Sequence, residues 1–518
     1  MKQVIRLHSL NYKQMKSKIL SLLSFVILSM LFPACMKDKS NYDLKPINEI
    51  KVTALSTADN IDILLNDTLR ISPAVTQENV TNGTYTYSWY IFSDAFGPKI
   101  ELSDKKDLKV AMNAPLGGYT LMYVVKDVST NITSTVQTHI TIVSKFGSGI
   151  VVLEEKPQGG DISHLGFDGK IYRNLYSEAN KGSYIPAPIG QLTGFYYKAG
   201  EQIQKPYYVF VSAPGKTTMQ LDPETYQQAG PFSGLLSAPP SAPAELSAIQ
   251  GYWSGNAIYA LVNGKVQFGS TGGTTPFFDG VLPGDYEVAP FVITSTTAGK
   301  ANTPAITTNF ICYDQKNGRF LWFTGNSVGQ LNTYSTDMSS PGAFDPNNVK
   351  KKCVYACYSN QYAYYNWLMK DDAGKMYFYQ IYPISTQKAA AAYAEIPVSA
   401  AMSSATIFAG STQLPHIYYV SGNNVMVYDY KSNTSTIAYT AAGGEQITDM
   451  KFSVSRVAEF STSYQILRTT DKLYISTYNG AEGKINEFNV SPTGALGSPV
   501  KTYSGFGKIT SMFYKEKR

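Results

Sequence analysis

Beyond residue 34 the chain has three histidines, His139, His164 and His416, and each sits within or beside a run that reads as a β-strand. None belongs to a His-x-x-x-His pair, and there is no nucleophile elbow or Gly-rich phosphate loop for any of them to serve. A plain strand position is the simpler role for each. Carboxylates offer a second chemistry, because a glycosidase needs two carboxyl groups about 5 to 9.5 Å apart. The candidates close in sequence are Glu154-Glu155, Asp371-Asp372 and Asp285 with Glu287, and all read more simply as strand ends and turns. Cys353 and Cys357 stand four apart in a predicted strand, a span of about 13 Å that a disulfide cannot close. With Cys312 they read as small core residues, since no histidine or second cysteine pair stands at zinc spacing. The sequence therefore predicts no metal, no cofactor and no catalytic residue.

Binding has more support. The chain holds 39 Tyr and 4 Trp, and tyrosine offers a flat apolar body with a hydroxyl, which suits sugars and peptides. The same residues also favour all-β cores. Three long stretches fall between apolar runs, Pro223 to Glu245, Gly269 to Glu287 and Ser327 to Lys350. Loops of this length in a compact domain are usually functional or disordered. The second holds Phe277, Phe278, Asp279 and Tyr286 among glycines, and the first holds Tyr226 and Phe232. These six are the expected ligand-binding residues, with the rings stacking and Asp279 accepting hydrogen bonds. The competing expectation is that Phe277 and Phe278 staple their loop onto the sheets beneath.

The elements that must position such loops repeat. An apolar run, a tight Gly/Asn/Asp turn and a second apolar run recur, as in Tyr208-Val209-Phe210-Val211 before Pro214-Gly215-Lys216 and Ile258-Tyr259-Ala260-Leu261 before Asn263-Gly264-Lys265. Phe310-Ile311-Cys312-Tyr313 precedes Asn317-Gly318-Arg319 in the same way, and further copies turn at Asp372-Ala373-Gly374-Lys375, Gly422-Asn423-Asn424 and Asp471-Lys472. Trp367-Leu368-Met369, Ile417-Tyr418-Tyr419 and Gln465-Ile466-Leu467 read as the leading strands of those last three. Such turns supply the positive φ of antiparallel hairpins. Their spacing of 49, 54, 56, 49 and 48 residues from Gly215 onward is that of β-propeller blades of about four strands.

A seventh copy comes first, at Ile150 to Leu153, the loop Lys156 to Gly160, and Ile162 to Phe167, with a second turn at Asp168-Gly169-Lys170. Each later copy is preceded by a short strand rich in small residues, whereas the first has none and one such strand, Gly507 to Tyr514, is left over at the far end. Placed innermost in the first blade, it closes a seven-bladed ring. A large irregular array of β-sandwiches is the alternative.

At the N-terminus, Lys2, Arg6, Lys13, Lys16 and Lys18 precede the apolar run Ile19 to Phe32, with no acid before residue 35. Fourteen residues are too few to span a bilayer, so residues 1–34 read as a signal peptide, starting at Met1 or Met15. Leu31-Phe32-Pro33-Ala34-Cys35 resembles a bacterial lipobox, which would place the acyl chains of a membrane anchor on Cys35; an incidental cysteine beside a small-residue cleavage site is the alternative. Five of the 44 Lys and Arg leave with the leader, so the rest nearly balance the 38 acids and no basic footprint for nucleic acid remains. Residues 35–48 read as a polar tether. Residues 49–144 read as one β-sandwich, because Tyr85, Tyr87, Trp89 and Ile91 share one face of a strand and Tyr119, Leu121, Tyr123 and Val125 share one face of another. The fold class is then all-β: an immunoglobulin-like or PKD-like sandwich followed, over residues 145–518, by a seven-bladed propeller closed by the C-terminal strand.

The run Cys35-Met-Lys-Asp38-Lys-Ser-Asn41-Tyr42-Asp43, then Ile47-Asn48-Glu49-Ile50 and a sandwich with a repeat domain behind it, resembles the PKD-like family of lipoproteins from Bacteroidota. The resemblance implies an outer-membrane lipoprotein, exposed at the cell surface, that partners a TonB-dependent transporter and a SusD-like protein in importing glycans or glycopeptides. In one respect the chain departs from it: only Asp38 stands between Lys37 and Lys39, where surface-exported lipoproteins of that phylum carry an acidic cluster. The expected function is non-enzymatic capture of a glycan or glycopeptide. A propeller enzyme of glycoside hydrolase or lyase type, and a purely structural partner of the transporter, are the other two readings.

Overall fold

Alternation builds the N-terminal sandwich, and burial on both faces builds everything after it. The computed structural model describes residues 49–515 except 54–59, 79–82, 95–96, 200–202, 252–256, 271–276, 292, 295–309, 326, 337–340, 360–363, 454, 462 and 470–471. Its first nine strands are β1 (Ile50–Thr53), β2 (Asn60–Leu64), β3 (Thr68–Ile71), β4 (Ala74–Gln77), β5 (Tyr85–Ser93), β6 (Ile100–Ser103), β7 (Leu108–Ala111), β8 (Gly117–Asp127) and β9 (Thr133–Val143). A five-stranded sheet runs β2-β9-β8-β5-β6, and β1-β4 and β3-β7 form two short sheets. The inward residues of β5 and β8 alternate as expected, with Trp89, Ile91, Tyr119, Leu121, Tyr123 and Val125 buried in one core. Trp89 stacks on Tyr123 at 4.1 Å and donates its Nε1 proton to the Lys105 carbonyl at 2.9 Å. Asp127 closes the β8–β9 hairpin by accepting from Ser129 and Thr130, and those bonds hold its carboxyl down to about 2.

The remaining strands follow in chain order. They are β10 (Gly149–Lys156), β11 (Gly159–Gly166) and β12 (Ile171–Tyr172); the helix α1 (Leu175–Ala179); β13 (Gln191–Ala199), β14 (Ile203–Ser212), β15 (Met219–Leu221) and β16 (Gln228–Pro231). Next come β17 (Leu246–Gly251), β18 (Ala257–Val262), β19 (Lys265–Ser270) and β20 (Phe277–Val281), then β21 (Ile293–Thr294), β22 (Phe310–Asp314) and β23 (Arg319–Phe323). After these lie β24 (Lys352–Ser359), β25 (Tyr364–Lys370), β26 (Met376–Ile381) and β27 (Ala390–Glu395), then β28 (Phe408–Gly410), β29 (His416–Ser421), β30 (Asn424–Asp429) and β31 (Thr434–Thr440). The last are β32 (Gln446–Phe452), β33 (Ser455–Ser461), β34 (Ser463–Thr469), β35 (Lys472–Tyr478), β36 (Gly483–Asn489), β37 (Lys501–Phe506) and β38 (Lys508–Lys515).

These strands pair into successive antiparallel sheets in a propeller-like array: β38-β10-β11-β12, β13 to β16, β17 to β20, β21 to β23, β24 to β27, β28 to β31, and β32-β35-β36-β37. The first strands lie side by side in sequence, β38 beside β13, then β17, β21, β24, β28 and β32, and β32 lies beside β38 again. Between each two consecutive sheets sits a buried apolar cluster. One joins Val151 and Leu153 to Val209 and Val211, another joins Tyr313 and Phe320 to Trp367 and Met369, and another joins Tyr474 and Ile485 to Ile150, Val152, Ile509 and Met512. Neighbours cover both faces of every sheet, which is why the second strands read as unbroken apolar runs. Trp367 belongs to the cluster on one side of its sheet and Leu368 to the cluster on the other.

Small residues let the first strands converge. A Cβ on Gly194 of β13 would overlap the Phe513 ring of β38, and one on Gly410 of β28 would overlap Cys357 of β24. Side chains from one first strand also satisfy the free backbone of the next. The Leu192 amide donates to Ser511 Oγ at 3.0 Å, the Gly410 amide to Tyr355 Oη at 2.8 Å, and the Met512 amide to Asp449 Oδ2 at 2.6 Å.

Two sequence expectations are corrected. The segment before Asp471-Lys472 is not a blade strand: β34 pairs with β33 in a separate hairpin, and the sheet is built from β35 and β36 around a turn at Asn479–Glu482. Asp471 itself lies outside the described residues. The stretches Pro223 to Glu245 and Gly269 to Glu287 are not wholly loops either, since they contain the outer strands β16 and β20. Both strands are short and interrupted by glycine or bulges, which hides them from a reading based on alternation.

Candidate functional site

The outer strands explain where the expected ligand-binding residues go. Phe278 of β20 is fully buried and meets Phe232 at 5.6 Å, while Phe232 sits edge-on to Phe210 at 5.3 Å. All three fill the core between the second and third sheets. Tyr286 is buried in the next core, donating to the Leu282 carbonyl at 2.5 Å and accepting from the Val266 amide. Tyr226 is buried between the first and second sheets. Only Asp279 is exposed, and the Phe277 side chain lies outside the described residues. The rings of Tyr226, Phe232, Phe278 and Tyr286 are therefore core, not an exposed platform, because adjacent sheets take up their apolar faces.

Tyr226 does take part in a polar cluster. Its hydroxyl lies 2.5 Å from Nδ1 of His164, whose Nε2 lies 2.9 Å from the Ser148 carbonyl. Burial drives the His164 imidazole down to about 3, so the ring is neutral. Phe146, in the short link after β9, packs edge-on to Tyr172 and to Tyr226, each at 5.3 Å. Lys515, fully buried, donates to the Phe146 carbonyl and to the Pro223 carbonyl, the latter at 2.7 Å, and stands 3.7 Å from Glu224. The link from sandwich to propeller is thus pinned by the last described residue of the chain. This is a joint, and its chemistry is structural.

Among the sequence-adjacent carboxylates, Glu154 is buried and accepts from Ser163 Oγ at 2.6 Å and from the Gly507 amide at 2.5 Å. Asp161 receives the Tyr176 and Ser177 amides of α1, each at 3.1 Å. Asp371 organises its turn by accepting from the Lys375 amide and Tyr377 Oη, and Asp285 pairs with Lys316 at the surface. His416 is buried and His139 lies 3.4 Å from Asp94. Cys312, Cys353 and Cys357 are free, and burial raises their thiols, Cys357 to about 12.

The group that sequence reading missed is Asp449 of β32. It lies on β32 beside β38, is partly reached by solvent, and its carboxylate accepts from the Met512 amide at 2.6 Å and the Met450 amide at 2.8 Å. Burial raises its carboxyl above the usual range, opposed by Lys451 and by those two amides. Tyr355, from a sheet two places away, lies within electrostatic reach of it. A sequence signal was present: across the first strands β13, β17, β21, β24, β28, β32 and β38, Asp449 is the one acid.

Among solved structures, the chain is similar to a quinonprotein alcohol dehydrogenase-like protein from Bacteroides thetaiotaomicron, with 13% identity over 88% of this chain and 97% of that one at a TM-score of 0.36. It is also similar to the periplasmic gluconolactonase of Pseudomonas aeruginosa, with 10% identity over 83% and 99% at 0.29, and to the WD40 domain of SCAP from fission yeast, with 8% identity over 58% and 68% at 0.30. No curated protein matches significantly. The model of the PKD-like family matches residues 35–187, so it is to that family that the sandwich, with the start of the first propeller sheet, is similar.

Proposed function

We propose that the chain is a surface lipoprotein of the outer membrane, anchored through Cys35, whose sandwich carries a seven-bladed propeller closed by β38. Its propeller axis binds the polar end of a glycan or glycopeptide on behalf of a TonB-dependent transporter and SusD-like protein. The cyclic order of the first strands and the cluster shared by β35, β10 and β38 support closure. One observation carries the binding role: a carboxylate stands on the first strand of the last sheet, bonded to the Met512 amide of β38, in surroundings that raise its pKa, and groups so placed are candidates for a functional site. Among the described residues, the charged group acting on Asp449 is Lys451 and not a second carboxylate. That favours binding over the two-carboxylate chemistry of a glycosidase.

The test uses the unlipidated soluble chain and a panel of oligosaccharides and glycopeptides, followed by calorimetry with chromatography of the products. Asp449→Asn should weaken binding by roughly tenfold or more, about 1.4 kcal/mol. It should remove the loss of stability that the ionised carboxyl causes at neutral pH while giving up one backbone bond, because the asparagine NH2 cannot accept from the Met450 or the Met512 amide. The sign follows from the raised carboxyl: as pH climbs from the unfolded value of 3.8, the unfolded state ionises first, so stability falls through the folded pKa and the penalty persists above it. The asparagine variant lacks that fall. Equal affinity in the variant would remove the axial site, and steady release of fragments would make the propeller an enzyme.

Anchoring has its own test. Cys35→Ala should leave the protein as a retained precursor or free of membranes, because stable attachment needs more than one acyl chain and the cysteine supplies their site. Continued pelleting with outer membrane after a high-salt wash would show a different anchor.

A further inference from the structure

The outer face of the five-stranded sandwich sheet carries a second, smaller ledge. Tyr90 and Phe92 follow one another on that face of β5, their rings edge-to-face at 5.3 Å, and Phe92 is 38% exposed. Directly across on β8, Met122 pairs with Tyr90 and Thr120 with Phe92, and Gln137 and His139 of β9 continue the same rows. The inner face of the sheet is the closed core around Trp89. The ledge is therefore an aromatic pair with a thioether beside it, bordered by hydroxyl, amide and imidazole groups.

Its dimensions and charge narrow the occupant. Residues two apart on a strand are about 7 Å apart and neighbouring strands about 5 Å, so the apolar ledge matches one or two six-membered sugar rings and is far smaller than the core of a stable protein interface. The charges at its margin are matched within the chain. Lys99 pairs with Glu101 at 2.5 Å and lies 4.1 Å above the Tyr90 ring, and Asp94 faces His139 at 3.4 Å and accepts from Thr120 Oγ1 at 3.4 Å. Among the described residues bordering the aromatic pair, Lys99, Glu101 and Asp94 are each already engaged within the chain.

We propose that this face binds an uncharged saccharide, with the apolar face of a sugar ring against the exposed Phe92 ring beside Tyr90 and its hydroxyls on Thr120, Gln137 and His139. The site is independent of the propeller axis, and together the two would hold one long chain at two points with a gain from effective concentration. The soluble full-length chain, run in native gels containing barley β-glucan, xylan or galactomannan, should be retarded by at least one of them. Tyr90→Ala with Phe92→Ala should weaken that retardation tenfold or more without moving the thermal transition, because both rings lie outside the core. Absence of retardation in all three gels, retardation unchanged by the double variant, or stronger retardation in polygalacturonate would each overturn the proposal.

Discussion

Deleting residues 507–518 should abolish the cooperative folding of the propeller while leaving the sandwich intact. β38 is the inner partner of β10 along Gly149–Glu155, and it supplies Ile509 and Met512, both fully buried in the cluster between the last and first sheets. Losing a buried side chain of that size costs about 2 to 5 kcal/mol, and two of them approach the about 5 to 15 kcal/mol that holds a whole domain folded. The deletion also takes the Gly507 amide from Glu154, the Met512 amide from Asp449 and Ser511 from the Leu192 amide. The sandwich core draws none of its buried residues from this region. Calorimetry should lose the propeller transition, and limited proteolysis should leave a fragment covering roughly residues 49–143. An unchanged melting profile would mean that β38 closes nothing.

Lys515→Met should have the next largest effect. The substitution keeps the stem but removes the ammonium, leaving the buried carbonyls of Phe146 and Pro223 without a donor and Glu224 without its cation. Each unsatisfied buried group costs about 1 to 3 kcal/mol, so a loss of about 3 kcal/mol is expected, read as a lower urea midpoint. The effect should be local as well. Amide exchange at Phe146 to Gly149 should accelerate well beyond that in β18 or β29, because the link is released before the sheets open. If protection at the link is unchanged, the lysine does not pin it.

Much of this fold was legible because its strongest signals are physical necessities. A strand buried on both sides must be apolar throughout, so Tyr208 to Val211, Ile258 to Leu261 and Phe310 to Tyr313 were readable, as were the Asn-Gly turns behind them. The outer strands were not, since Gln228–Pro231 and Phe277–Val281 lie at edges, where alternation and β-propensity weaken. That error moved Phe232 and Phe278 from a core into a presumed loop. The hairpin of β33 and β34 misled in the opposite direction, because Gln465-Ile466-Leu467 has the composition of a blade strand without its pairing. Asp449 stayed hidden for another reason. Its partner Met512 is 63 residues away, and its burial arises only from the convergence of strands that no local pattern records.

The pairing of β10 with β38 has a consequence for biogenesis. The Leu153 carbonyl accepts from Thr510 across 357 positions, so during synthesis the first sheet waits with an open inner edge until nearly all the others have been made. Contacts this distant in sequence slow folding and prolong the exposure of unpaired edges. A message truncated by even a dozen codons before the end of β38 would yield a chain whose first blade never finds its partner. Such a product should be recognised by proteases as unfinished, so late nonsense mutations in this gene should behave as nulls and not as mild alleles.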